Sequence, residues 1–168
     1  MPQFHAVSVA DAHAITLLTE YFSSPELSFR QSHGAYHPTF PLGEQFVPPE
    51  GVFLLVLDPA SGDESAGRRY VGCGGIRRLA HSEGEPVRFE VKHVWMQPHT
   101  RGRGWGRLLL AELEQRAALW DAAEVVLDTN ENLVAAGALY DSAGYEKIEA
   151  YNDNPNATHW YRKRLCAN

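Results

Sequence analysis

Cysteine is nearly absent. The 168-residue chain holds two, Cys73 inside a strand-like run and Cys166 near the C-terminus. Two cysteines make neither a disulfide framework nor zinc-type spacing, and neither sits in a setting that marks a nucleophile. Long apolar runs are lacking too: the longest, Val52 to Leu57, is far too short to span a bilayer. The stretch Met1-Pro2-Gln3-Phe4-His5 has neither the basic start nor the apolar core of a signal peptide. Basic charge is in deficit, with a net charge of −6, whereas a sequence-independent nucleic-acid binder carries a basic surface. These absences point to a reduced, cytoplasmic setting and away from nucleic acid or membrane as partners. Among the eight histidines, His33 and His37 are four apart but straddle a glycine and precede Pro38; no H-E-x-x-H pair occurs, so no metal is expected.

What is present is ordinary for a globular chain: 44% hydrophobic and 21% charged residues, no internal repeat, and a length that suits one domain with a full core. Gln3 to Val9 alternates loosely as a first strand. Asp11 is a plausible N-cap for a helix over Ala12 to Phe22, with Ile15, Leu18 and Phe22 on one face. A short second helix from Glu26 to about Ser32 is a further option. Gly34 to Gly51 carries four prolines and no period, and includes Tyr36, His37, Phe40 and Phe46. Such long stretches are usually functional or mobile. Strands follow at Val52–Asp58, Arg68–Leu79 and Val87–Met96; joined by turns, they should be antiparallel neighbours. Gly72, Gly74 and Gly75 inside the second of these suggest a bulge or a close approach. Glu124–Thr129, Tyr145–Tyr151 and His159–Leu165 complete the strands, and Asn132–Ala143 reads as the last long helix.

The chain is organised around Val87 to Trp120. A β-branched and aromatic run stops at Gln97-Pro98, then comes Arg101-Gly102-Arg103-Gly104-Trp105-Gly106, then an amphipathic helix with Leu109, Leu113, Ala117 and Trp120 at helical steps. The first amides of a helix have no partner within it, and the helix dipole puts positive charge there. Glycines remove the Cβ atoms that would hold a phosphate away. Arg101, Arg103 and Arg107 add full charges. The turn is therefore an anion site for a phosphate or pyrophosphate, or else a tight strand-to-helix turn with solvated arginines. No G-x-x-x-x-G-K-[ST] loop is present, and the third glycine of a dinucleotide fingerprint is missing.

Arg101, Gly104 and Gly106 fill the pattern [Q/R]-x-x-G-x-[G/A], and Ala138-Leu139-Tyr140-Asp141-Ser142-Ala143-Gly144-Tyr145 resembles A-L-Y-x-x-x-G-[F/Y]. On these motifs, and on their order from about residue 52 to 165, the chain resembles the GNAT superfamily of acetyl-CoA-dependent N-acetyltransferases. The resemblance implies an α/β (α+β) fold: one mixed, mostly antiparallel twisted sheet of about seven strands, flanked by about four helices. It implies a single domain, 1–168, with 1–51 supplying acceptor-side helices and a specificity loop and 52–168 an acetyl-CoA-binding core. The implied activity is transfer of acetyl from acetyl-CoA to a primary amine in a ternary complex. The alternative is a non-catalytic acyl-CoA-binding sensor or partner module.

By the same resemblance, Val94, Trp95 and Met96 offer backbone amides to the pantetheine arm and the thioester carbonyl. Arg101, Gly102, Arg103, Gly104, Trp105, Gly106 and Arg107 hold the diphosphate. Tyr140 touches the cofactor and gives a proton to the leaving thiolate. Glu90 takes the amine's proton, with His93, Asp128 or a water chain as alternatives. A regular strand would put Glu90 on one side with Val94 and Met96; pairing with Arg77 or Lys92 is the structural alternative. The family's asparagine seven residues before the tyrosine is Leu133 here, so one of the nearby Asn130 and Asn132 is the expected substitute, Asn132 being the one taken. The acidic balance leans toward a small cationic acceptor rather than a protein, and family members are frequently dimeric, so a homodimer is an option.

Overall fold

A computed structural model describes residues 1–28, 38–59 and 69–165, and the backbone of residues 30, 31, 34 and 35. Nine strands and three α-helices run in the order β1 (Gln3–Val7), α1 (Ala12–Phe22), β2 (Arg30–Gln31), β3 (Gly34–Ala35), β4 (Gly51–Leu57), β5 (Tyr70–Arg78), β6 (Arg88–Met96), α2 (Trp105–Leu119), β7 (Glu124–Thr129), α3 (Val134–Ser142), β8 (Glu146–Ile148) and β9 (His159–Arg164). Seven strands form one sheet in the order β1-β4-β5-β6-β7-β9-β8, while β2 and β3 form a separate hairpin. Every pairing in the large sheet is antiparallel except β6 with β7. That exception follows from the helix that returns the chain between them.

The sheet is covered on both faces, which is why β4 reads as an unbroken apolar run. Val52, Leu54 and Val56 point into the core under α2, with Leu109, Leu113 and Ala117. Phe53 and Leu55 point into the core under α1, with Leu17, Leu18 and Phe46. Asp11 caps α1, its Oδ1 accepting from the His13 amide at 2.8 Å. The buried face of that helix is Ala14, Leu17 and Leu18, and Ile15, expected on it, is 46% exposed. Three α-helices stand where about four were expected, because the segment after Ser24 forms only a 3-10 turn at Pro25–Leu27. The last helix starts two residues later than its pattern suggested, and β8 is three residues long. Tyr36, His37, Arg68 and Cys166 lie outside the described residues.

The feature that shapes the molecule is a bulge in β6. Cys73 pairs with Trp95 and Gly75 with Lys92, so Gly74 faces both His93 and Val94. His93 has φ 57°, the left-handed region that non-glycine residues seldom occupy. The extra residue reverses which side chains face which way. Phe89 and Val91 before it, and Val94 and Met96 after it, all pack on the α2 side, whereas Trp95 packs on the α1 side. Glu90 therefore does not share a side with Val94 and Met96. The glycines of β5 meet this distortion at close range: a Cβ on Gly75 would come within 2.5 Å of the Phe46 ring, and one on Gly74 within 3.1 Å of Leu109.

Candidate functional site

The parallel pair β6–β7 holds only at Arg88–Glu124, Phe89–Val125 and Glu90–Val126. Beyond it the strands separate. The gap is a cleft of about 610 Å³, walled by Val91–Trp95 on one side and Asp128–Asn130 on the other, with Tyr140 and the start of α3 across it. The bulge thus leaves the β7-facing edge of β6 without a strand partner along the segment expected to offer amides. Val94 and Trp95 line the cleft, and Met96 is buried beside them.

Residues 98–100 form a 3-10 turn after β6, so the chain reverses directly into Arg101–Gly104. Gly102 and Gly104 have φ 76° and 75°, with nothing within 4 Å of where a Cβ would stand. Gly104 is the N-cap of α2 and no side chain caps that end. The first amides of a 15-residue helix are thereby left to solvent or to a ligand. Gly106 packs, with its Cβ position 3.6 Å from Leu139 and 3.8 Å from Met96, so it joins α2 to α3 and β6. Trp105 is buried in the core and supports the turn from below.

The three arginines differ. Arg107 is exposed and has no ion pair among the described residues. Arg103 lies over the Trp105 ring at 3.8 Å and reaches Asp58 at 3.5 Å. Arg101 folds back: its Nε donates to the Met96 carbonyl at 3.0 Å, its guanidinium covers Trp95 at 4.7 Å, and it pairs with Glu26. As placed, the Arg101 side chain ties the turn to the acceptor end of the cleft rather than projecting into the anion site. The cradle's donors are the uncapped amides, with Arg103 and Arg107 beside them. A diphosphate suits that donor set.

Tyr140 is buried and lines the cleft, its ring 6.0 Å from Tyr145 and 5.8 Å from Tyr161. Burial, reinforced by Asp128 and Tyr161, pushes its phenol above the ordinary value. It stays a proton donor throughout the physiological range.

Glu90 is 1% exposed and sits behind the wall. Its Oε2 accepts from Arg77 Nε at 3.0 Å and Nη2 at 2.8 Å. Its Oε1 accepts from the Tyr151 hydroxyl at 2.9 Å and Asn152 Nδ2 at 3.3 Å, with Lys92 Nζ at 3.2 Å. Both of its oxygens are thus engaged by protein donors. Asp128 is on the wall and is also fully engaged, by Lys92 at 3.0 Å to each oxygen, Asn152 at 2.7 Å and Asn154 at 3.1 Å. His93 lines the cleft with its ring near Phe22 at 5.7 Å and Phe46 at 6.3 Å. Burial, with Lys92 and Arg77 nearby, lowers its pKa to about 3.

Asn132 lines the cleft, and both its amide and Nδ2 donate to Asn130 Oδ1 at 3.0 and 2.9 Å. Leu133 is the N-cap of α3 and supplies no side-chain cap, so the starts of two helices open in this region. The segment between β8 and β9 supplies Asn152, Asn154 and Asn156 to the wall. Residues 39–46 contribute Phe40, Gln45 and Phe46. Sequence reading missed Tyr21, next to Phe22 at the end of α1, and Gln45, whose Oε1 accepts from Arg77 at 2.6 Å. The adjacent aromatics Tyr21 and Phe22, both packed at the edge of the α1-side core, were the available signal for the former. Among the described residues no cluster of His, Cys, Asp or Glu could hold a metal, and no helix is long and apolar enough to cross a membrane.

Comparison with known proteins agrees with this geometry. The model of the acetyltransferase (GNAT) family matches residues 15–145. An uncharacterized N-acetyltransferase of Schizosaccharomyces pombe is 31% identical over 111 residues, covering 66% of this chain and 61% of that protein. The N-alpha-acetyltransferase RimI of Mycobacterium tuberculosis is 36% identical over 83 residues, covering 49% of each. The chain spans between 20% and 61% of the length of the curated relatives it matches. A chain from Klebsiella pneumoniae, provisionally assigned as an acyl-CoA N-acyltransferase, superposes with TM-score 0.68 at 25% identity over 99% of both chains. An acetyltransferase of Streptococcus agalactiae superposes with TM-score 0.72 at 17% identity over 98% of both, a likeness of fold.

Proposed function

The chain belongs to the acetyltransferase (GNAT) family, and from that membership we propose that it moves an acetyl group from acetyl-CoA to a primary amine, with both substrates bound together and no acyl-enzyme. Bound acetyl-CoA supplies the acetyl thioester. The observation that carries the proposal is the uncapped start of α2 behind two open, positive-φ glycines, set at the end of the strand whose bulge opens the cleft.

In this reading the amides from Gly102 to Arg107 hold the diphosphate, with Arg103 and Arg107 adding charge. The free edge of β6 from Val94 to Met96 aligns the pantetheine arm and polarises the carbonyl. Tyr140 holds a proton at its phenol oxygen for the departing sulfur. Asn132 borders the same end. Glu90 takes a different part from the base role its position suggested: it fixes Arg77 and Lys92. With Glu90 and Asp128 both saturated, the amine enters as the free base and its proton leaves through water along the asparagine wall.

Replacing Gly104 by glutamate tests this reading. The new side chain puts strain on a φ of 75° and a negative charge where the phosphates sit. Calorimetry should show coenzyme A affinity falling at least ~100-fold while circular dichroism stays native. Undiminished binding by the variant would remove the phosphate assignment.

A further inference from the structure

We propose that the acceptor is a small primary amine carrying an aryl or similarly bulky apolar group, seated against Phe22, Phe40 and Phe46. This rests on the acetyl-transfer reading and narrows it to a substrate class.

Charge is the first argument. Among the described residues the carboxylates on the cleft wall are Glu26 and Asp128. Glu26 already holds Arg101, and Asp128 already holds Lys92. A second ammonium, as in a polyamine, finds no free carboxylate. Among the described residues the wall cations are Arg77 and Lys92, committed to Glu90 and Asp128, and they leave no free cation for an acceptor with its own carboxylate, such as an amino acid. A small amine whose nitrogen is its one charged group is compatible both with this wall and with the small cationic acceptor that the overall charge suggests.

The rings are the second argument. Phe22 and Phe40 have centroids 5.0 Å apart, and the His93 ring stands edge-on to Phe22 at 5.7 Å. Phe46 is buried against Phe53 at 5.8 Å and presents its other side toward His93 at 6.3 Å. Phe40 remains 49% exposed at this group. A half-exposed ring near Phe22 and sharing the lining with Phe46 gains most from an apolar occupant. His93, on the same lining and held neutral, adds no charge to repel an amine.

The test is free-thiol release from acetyl-CoA with phenethylamine, n-butylamine, spermidine and glycine, for the wild type and for Phe40→Ala and Phe40→Trp. Phenethylamine should exceed each other amine at least ~10-fold in kcat/KM. Phe40→Ala should bring that ratio toward one, and Phe40→Trp should keep it. Preference for spermidine or glycine, or an unchanged ratio in Phe40→Ala, overturns the inference and leaves acetyl transfer standing. No thiol release from any of the four amines also overturns the inference, whereas it is absence of coenzyme A binding by calorimetry that would overturn the acetyl-transfer reading.

Discussion

Arg77 directs two nitrogens, at 3.0 and 2.8 Å, onto a single oxygen of Glu90. Tyr151 donates to the other oxygen at 2.9 Å. The register makes this pair, because Arg77 lies directly opposite Glu90 across β5 and β6. Removing one member of a buried pair leaves the other uncompensated, at about 3–5 kcal/mol. Glu90→Gln should therefore lower the melting temperature by about 6–20 °C, with the pH profile of kcat/KM keeping its shape. A variant with native melting that loses the profile's basic dependence would restore Glu90 as the base.

Burial makes His93 a source of acid sensitivity. Its pKa falls from 6.5 unfolded to about 3 folded, so between those values the unfolded chain binds the proton and the folded chain does not. Stability from this group is complete above about 6.5 and is lost as pH falls through that window. Half the displacement corresponds to ~2 kcal/mol at 1.36 per unit. His93→Asn keeps a residue tolerant of φ 57°. Its acid-unfolding midpoint should move to lower pH than the wild type's. An unmoved midpoint would show that His93 titrates normally.

In the proposed reaction Tyr140 acts on the leaving sulfur rather than holding the fold. Tyr140→Phe retains the ring contacts with Tyr145 and Tyr161. The expected result is a fall in kcat of roughly 100-fold, KM for both substrates within about threefold, and nearly native melting. Unchanged kcat would take Tyr140 out of the chemistry.

Much of the molecule was readable from residue pattern, for identifiable reasons. An apolar run such as Val52 to Leu57 has one good solution, a strand covered on both faces. A glycine turn between Pro98 and the leucines of α2 has few solutions besides a helix start. The bulge was not readable. Val91-Lys92-His93-Val94 looks like any strand, and only register against Gly74 shows that His93 is the extra residue. That one residue reverses the faces of Val94 and Met96, so parity counted from Glu90 misplaced it. Long-range partners were hidden in the same way. Asn152 meets Asp128 only because β7, β8 and β9 lie side by side, and the 3-10 turn at Pro25 depends on local bonds too few to leave a periodic pattern.

The central claim is that the amides opening α2, together with the free edge of β6, form the nucleotide-thioester site. The most direct measurement is titration of the ¹⁵N-labelled protein with coenzyme A, followed by amide chemical shifts. The account predicts saturable changes concentrated at Gly102–Leu108 and Val94–Met96. Saturable binding with those amides unmoved, or no binding at millimolar ligand, would contradict it.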